Sequence, residues 1–312
     1  MATDRSLPKK IAVLMGGPGS ERDVSLATGR GVSKALRSLG AEVVDVDVRD
    51  ENFALPKDVD LAFITIHGTF GEDGQLQEIL EERGVPYTGD AVESSLAAFD
   101  KILSKEKFRE HNVVTPEWEV VEVGQQPTIS VPLVVKPARQ GSTVGVVIVK
   151  NASELDSAMT EAGKYDRKLL IEKFVPGREL TIGVLGDQAL PILEIIPKGG
   201  FYDFNNKYPF LNPQGGGGAE HVCPAKIDPT RSKQIQEQAL RAFRALGLVV
   251  YGRVDVLLSD SGEPFVLEAN TIPGMTEASL LPEAAAAAGI NYVDLCARII
   301  ALSFARMERS PR

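Results

Sequence analysis

Three side chains near the C-terminus carry hard oxygen donors at a spacing that can hold a divalent cation. In YGRVDVLL (251–258) the strand period of two places Tyr251, Arg253, Asp255 and Leu257 on one face. In FVLEAN (265–270) it places Val266, Glu268 and Asn270 on one face. The turn Ser259-Asp260-Ser261-Gly262 between them predicts an antiparallel hairpin with Asp255 near Glu268 and Asn270. Two carboxylates and an amide oxygen suit Mg²⁺, which fills its octahedron with water and nucleotide phosphates. A solvated polar face is the competing reading. The other positions (Val254, Val256, Leu258, Phe265, Leu267) are apolar, however, and acids in such a hairpin need a partner. Arg253 beside them can hold a carboxylate, a phosphate or a developing oxyanion.

Other polar groups sit at loops. Pro273-Gly274 marks a turn whose N–H groups can point into a site, and Ser279-Leu280 opens an alanine-rich helix, a place suited to a carboxylate or to ordinary capping. Lys136 ends a strand, and the polar loop Ala138 to Thr143 after it can lay N–H and hydroxyl groups over phosphates. GGPGSERD (16–23) looks like a nucleotide loop and is not one: Arg22 occupies the position of the last Gly of G-x-G-x-x-G, and there is no G-K-[ST]. Glu21 at that helix start repels an anion and suits a cation. It either receives a substrate ammonium or only complements the helix dipole. His67 follows the strand FITI, at the carboxyl end where open α/β sheets bind ligands.

The elements that must position these groups alternate first and then change character. KIAVLM (10–15) reads as a buried strand. A helix capped by Ser20 follows, then strands at 42–48 and 61–66 and helices near 74–83 and 91–99. That is an open, mostly parallel α/β sheet over residues 1–100. Residues 101–184 read as a small α+β unit, with strands at 131–137, 144–150, 168–174 and 178–186 and a helix near 153–163. Residues 185–312 hold a strand at 189–196, the glycine run Gly215–Gly218, a helix at 229–246, the hairpin strands 249–258 and 264–270, and helices at 282–289 and 292–307.

Composition bounds the partners. The chain has 312 residues, 43% of them hydrophobic, enough for real cores. Its net charge of -9 argues against nucleic acid and anionic membrane as partners. Two cysteines, Cys223 and Cys296, cannot form a disulfide framework. MATDRSLPKK lacks the apolar core of a signal peptide, and no apolar run is long enough to span a bilayer, so the expectation is a cytoplasmic protein.

Taken together, GGPGSERDVSLATG (16–29), IHGTFGEDGQLQ (66–77), YTG (87–89), DK (100–101), VKPARQGSTVGV (135–146), IEKFVPGREL (171–180), FYDFNNKY (201–208), YGRVDV (251–256) and LEANTIPGMTEASLLP (267–282) resemble the ATP-grasp superfamily. Within it they are similar to the D-alanine–D-alanine ligase family. The resemblance runs from Lys10 to Phe304 and implies an ATP-grasp fold behind an N-terminal parallel α/β domain. It implies ATP-dependent ligation of two D-alanines through an acylphosphate for peptidoglycan synthesis, with Mg²⁺ (two ions, Mn²⁺ able to substitute) and a cytoplasmic homodimer.

By the same resemblance Lys101 and Lys136 contact ATP phosphates, and the loop at Ser142 covers them. Glu172 and the backbone of Lys173 and Val175 read adenine, and Glu179 holds the ribose. Phe174, Phe201, Leu257 and Leu267 wall the base, and Lys207 approaches the γ-phosphate. Asp255, Glu268 and Asn270 are the metal ligands. Glu21 meets the first D-alanine's ammonium with His67 nearby, and Glu21, Ser142 and Tyr208 form a hydrogen-bonded set. Arg253 and the Gly274 N–H hold the oxyanion, and Ser279 and Leu280 take the second D-alanine's carboxylate. Phe174 stands where Trp is common in the family. A D-alanine–D-lactate or D-alanine–D-serine ligase, or a non-catalytic ATP-binding member, are the alternatives. Tyr208 argues for the dipeptide, and the intact ligand and oxyanion sets argue for catalysis.

Overall fold

The structure, a computed structural model, describes residues 7–197 and 218–309. The first unit is a parallel sheet in the order β2 (Glu42–Val48), β1 (Lys10–Gly16), β3 (Leu61–Ile64), extended by a parallel bridge between Ala62 and Tyr87. β1 is apolar from Ile11 to Met15 because both its faces are covered there. Ile11, Val13 and Met15 pack with Val32 and Leu36 of α1 (Arg22–Ser38), while Ala12 and Leu14 pack with Ile64, Leu76 and Leu80. Helices α2 (Gln75–Glu82) and α3 (Val92–Phe99) complete the unit. Glu21 is itself the residue that starts α1, so Ser20 is not the cap, and the Glu21 side chain makes no cap hydrogen bond.

An unanticipated helix, α4 (Lys101–Glu110), comes next. Its sequence KILSKEKFRE has no apolar stripe, and it is held by Asp100, whose carboxylate accepts from the N–H groups of Ile102 and Leu103. The strand β4 (Trp118–Glu122) was likewise not expected. It joins an antiparallel sheet of order β4, β7 (Lys168–Lys173), β5 (Leu133–Pro137), β6 (Val147–Val149), covered by α5 (Leu155–Ala162) over Leu133, Val135 and Ile171. β6 is shorter than the apolar run 144–150. Residues 141–146 instead form turns, closed by Val144 N–H to Gly141 O and Val146 N–H to Thr143 O.

The third sheet is antiparallel, in the order β11 (Ala219–Val222), β10 (Leu193–Pro197), β8 (Gly177–Leu185), β12 (Tyr251–Ser259), β13 (Pro264–Asn270), with β9 (Gln188–Ala189) on β8. Helix α6 (Pro229–Ala245) packs Ile235, Ala242 and Phe243 onto Leu180, Ile182, Val254 and Val256. Helices α7 (Leu280–Ala287) and α8 (Tyr292–Arg309) follow, α7 starting two residues before its expected place. Ile299 and Ile300 of α8 join the core under α1, which seats the first unit on the third. β7 and β8 are joined by only Phe174, Val175 and Pro176, so the two antiparallel sheets sit face to face across a short hinge.

Both cysteines are free, and among the described residues no single helix is long and apolar enough to cross a membrane.

Candidate active site: a cavity between two antiparallel sheets

A cavity of about 390 Å³ lies between those sheets, a size typical of small-molecule sites. Val134, Lys136 and Ile148 line it from β5 and β6, and Glu172, Lys173, Phe174 and Val175 from β7 and the hinge. Glu179, Asp255, Leu257, Leu267 and Glu268 line it from β8, β12 and β13, and Lys101, Thr143 and the β10 residues Glu194 to Pro197 also contribute. Phe174, Leu257 and Leu267 are apolar groups of this lining, contributed by the hinge, β12 and β13. Two backbone donors of the hinge are already used, since Lys173 N–H donates to Glu117 O and Phe174 N–H to Pro132 O.

The hairpin forms, with one correction. Arg253 lies opposite Asn270 and Asp255 opposite Glu268, but Val256 then pairs with Val266, leaving Leu267 as an extra residue on β13. This bulge reverses the alternation beyond it. Val266 is fully buried in the core with Val256 instead of sharing a face with Glu268, and Leu267 and Glu268 both reach the cavity. The N–H of Val266, diverted from the ladder, donates to Val114 O at 2.8 Å.

Asp255 and Glu268 each meet a cation. Arg253 donates through Nε and Nη2 to Oδ1 and Oδ2 of Asp255, both at 2.9 Å, and Thr181 Oγ1 donates to Asp255 Oδ1 at 2.6 Å. Lys101 Nζ lies 3.4 Å from Glu268 Oε2 and donates to Gln140 O. Asn270 Oδ1 accepts from Ile272 N–H at 3.1 Å. Among the described residues no three His, Cys, Asp or Glu side chains are grouped so as to hold a metal ion by themselves. The donor set available is thus two facing carboxylates on the cavity wall, each beside an organic cation, and the amide oxygen of Asn270 two residues beyond Glu268 on the same strand, all hard donors. That set fits Mg²⁺-like chemistry.

A second charge cluster lies behind the other wall. Glu172 is 1% exposed and ion-pairs through its two oxygens with Lys105 and Lys136. Lys105 also donates to Thr115 Oγ1, which donates to Val266 O at 2.7 Å. Burial pushes against ionisation of all three groups. The two ammoniums nonetheless hold Glu172 below its ordinary range, and Glu172 with Glu268 raises Lys136. Burial, with Lys136 alongside, lowers Lys105 against the pull of Glu172.

The first unit supplies a third group of residues. The Glu21 carboxylate is buried and accepts from Ser142 Oγ at 2.5 Å. Ser142 and Thr143 are consecutive non-glycine residues at φ 52 and 66, a left-handed conformation costing roughly 1–2 kcal/mol per residue. A Cβ on Gly68 would stand 2.4 Å from Glu21 Oε2, so this acid reaches across to two loops and does not cap its own helix. His67 is buried with both ring nitrogens engaged. Nδ1–H donates to Ile272 O at 2.8 Å, and Nε2 accepts from Thr28 Oγ1 at 2.9 Å. Burial opposes its protonation, but Glu72, 3.8 Å away, and Glu21 raise its pKa on balance, while burial raises Glu72. Thr28 Oγ1 also accepts from Met275 N–H, so His67 and Thr28 tie the first unit to the Pro273-Gly274 turn. Ser279 starts α7, its Oγ accepting from Thr276 N–H at 3.0 Å and lying 2.9 Å from where a Gly274 Cβ would stand. Leu280 is buried.

Phe201, Lys207 and Tyr208, and most of the glycine run at 215–218, lie outside the described residues. Sequence reasoning missed Lys105, Thr181, Thr28 and Glu72. Only Lys105 carried a signal: in DKILSK it stands four residues after Lys101, on the same helix face.

Two facing antiparallel sheets hinged at one edge, with a nucleotide-sized cavity and acids on the larger sheet, define an ATP-grasp protein. The family model "D-ala D-ala ligase C-terminus" matches residues 97–301 and "D-ala D-ala ligase N-terminus" matches 41–90. The chain belongs to the D-alanine–D-alanine ligase family. It is 47% identical over 303 residues to the D-alanine–D-alanine ligase of Methylacidiphilum infernorum (isolate V4), covering 97% of this chain and 98% of that one. The crystal structure of the D-alanine–D-alanine ligase from Bacillus anthracis complexed with ATP superposes with a TM-score of 0.84 at 34% identity, over 98% of this chain and 100% of the other. VanG D-Ala:D-Ser ligase from Enterococcus faecalis gives a TM-score of 0.84 at 27% identity, over 95% and 100%.

Proposed function

We propose that the chain is an ATP-dependent ligase that joins two D-alanines into D-alanyl-D-alanine, releasing ADP and phosphate, for peptidoglycan precursor synthesis. The observation that carries this reading is the convergence of three units on one site. A nucleotide-sized cavity is walled by Asp255 and Glu268, its covering loop hydrogen-bonds through Ser142 to Glu21 of the first unit, and the Gly274 turn is tied back by His67. We assign these units to residues 1–100, 101–184 and 185–312.

A carboxylate is a poor electrophile, so the first D-alanine's carboxylate attacks the γ-phosphate and becomes an acylphosphate. The second D-alanine's amine, as the free base, then attacks the carbonyl carbon, and phosphate leaves. Lys101 and Lys136 offset phosphate charge, with Lys207 beside the γ-phosphate. Glu172 and the hinge at Lys173 and Val175 meet adenine between Phe174, Phe201, Leu257 and Leu267, and Glu179 meets the ribose. Glu21 receives the first ammonium and, with Ser142 and Tyr208, holds the loops shut against hydrolysis. His67 acts by fixing the Gly274 turn. Arg253 and the Gly274 N–H stabilise the tetrahedral oxyanion, a contribution of about 2.7–4 kcal/mol per donor in measured systems. Ser279 and Leu280, at a helix N-terminus, take the second carboxylate. Asp255, Glu268 and Asn270 would hold Mg²⁺, two ions with Mn²⁺ able to substitute, which would supply charge neutralisation at the phosphates. A cytoplasmic homodimer belongs to the same reading and rests on the family resemblance alone.

The test is ADP release at neutral pH with D-alanine alone, compared with D-alanine plus D-lactate or D-serine. D-Alanine alone is expected to support full turnover with dipeptide as product. No turnover with D-alanine alone, or a strict need for D-lactate or D-serine, sinks the reading.

A further inference from the structure

Lys105 is 1% exposed, does not line the cavity, and so cannot touch a nucleotide in it. Yet it is one of two ammoniums on Glu172, the other being Lys136, which does line the cavity. The geometry points to Lys105 as a positioning residue that sets purine discrimination by holding the Glu172 carboxylate in place from behind. This rests on the reading of Glu172 as the adenine-facing acid.

Glu172 is held at one oxygen by each lysine. Glu172 Oε1 is ion-paired with Lys105 yet has no hydrogen-bond partner among the described residues, and an oxygen beside an ammonium keeps a lone-pair direction for another donor. The carboxylate can therefore still accept from the exocyclic amine of adenine and repel the O6 acceptor of guanine. Without Lys105, Lys136 faces Glu172 alone. The carboxylate then loses one of its two anchors and swings toward Lys136, which is drawn from the phosphate side of the cavity. The back of Lys105 is itself anchored. It donates to Thr115 Oγ1, whose hydroxyl donates to Val266 O beside the Leu267 bulge, so one chain of hydrogen bonds links both walls around the base.

The experiment measures kcat and KM for ATP and GTP in the full-length wild type, Lys105→Met, Glu172→Gln and the double variant, with thermal melts of each. Lys105→Met is expected to raise KM for ATP at least tenfold, keep kcat within threefold, and reduce the ATP-over-GTP preference in kcat/KM at least tenfold. On the Glu172→Gln background it should change the preference less than twofold, because it acts through Glu172. If Glu172→Gln leaves the preference intact, the adenine assignment falls and the inference falls with it. If Glu172→Gln loses the preference but folded Lys105→Met keeps it, the inference alone is overturned. If Lys105→Met does not fold, Thr115→Val serves instead, with an expected loss of preference of at least threefold. An unchanged preference in that folded variant overturns the proposal.

Discussion

Ser142→Ala isolates the contact that joins the cavity's covering loop to the first unit. The Ser142 hydroxyl donates to the buried Glu21 carboxylate at 2.5 Å, a charge-assisted geometry. Such bonds contribute about 1.5–3 kcal/mol net. If the closed arrangement is required in the transition state, the loss appears as about a 10- to 150-fold fall in kcat/KM for D-alanine. Overall stability should change little, because this loop is outside every core cluster. The backbone offers an internal control. Ser142 sits at φ 52, so Ser142→Gly removes the same bond while relieving roughly 1–2 kcal/mol of left-handed strain. Glycine also makes the open loop more costly to order, by about 0.4–1 kcal/mol. The relief outweighs the ordering cost by about 0–1.6 kcal/mol, so Ser142→Gly should equal Ser142→Ala or exceed it by up to about 15-fold. The assay is steady-state ADP release against D-alanine at saturating ATP, with a thermal melt of each variant. A Ser142→Ala enzyme within twofold of wild type refutes the reasoning, since Glu21 would then not need the loop.

Glu268→Gln removes one of the two facing carboxylates, and turnover should fall at least a hundredfold while ADP binding, read by calorimetry, survives; an unchanged Mg²⁺ dependence of the residual rate would exclude Glu268 from the metal site. Gly68→Ala meets φ 69 and a 2.4 Å approach to Glu21 Oε2. It should lower stability by about 1–2 kcal/mol and raise KM for D-alanine more than KM for ATP, and an equal rise in both argues against Glu21 as a substrate group. Burial pushes the Asp90 carboxyl up to about 6 from 3.8, against its hydrogen bonds from the Val249 and Val250 N–H groups. Between those pH values the folded chain holds a proton the unfolded chain has released, so this stabilisation is present below pH 4 and lost as pH rises through 6. Asp90→Asn has no such loss, and its stability relative to wild type should climb by about 3 kcal/mol from pH 3 to pH 7; a pH-independent difference refutes the assignment.

Much of the architecture was legible because it is written in local periodicity. The β1 run shows its burial on both faces, and the helices at 75–82, 92–99 and 229–245 carry apolar stripes or breaker residues at their ends. α4 was not legible. It is polar by pattern, and its inward residues are Ser104, Lys105 and Phe108, a mixture that only a buried acid such as Glu172 makes reasonable. The facing of Asp255 and Glu268 across the hairpin was legible from period two. The bulge was not, because nothing in FVLEAN announces the extra residue that sends Val266 inward and Leu267 outward.

Residue types, strand period and motif order were thus enough to name the acids, the lysines of the cavity and the family, since these depend on short-range spacing along the chain. Tertiary structure alone decided which cation each acid meets. Arg253 lies on Asp255, Lys101 lies on Glu268, and Lys105 and Lys136 share Glu172. It also decided that His67 is a strut between units and that Glu21 faces Ser142 across 121 residues of chain. The physical reason is that electrostatic partners and burial are set by distances through space. Elements remote in sequence meet only when their apolar faces pack, and no local pattern records which polar groups that packing brings together.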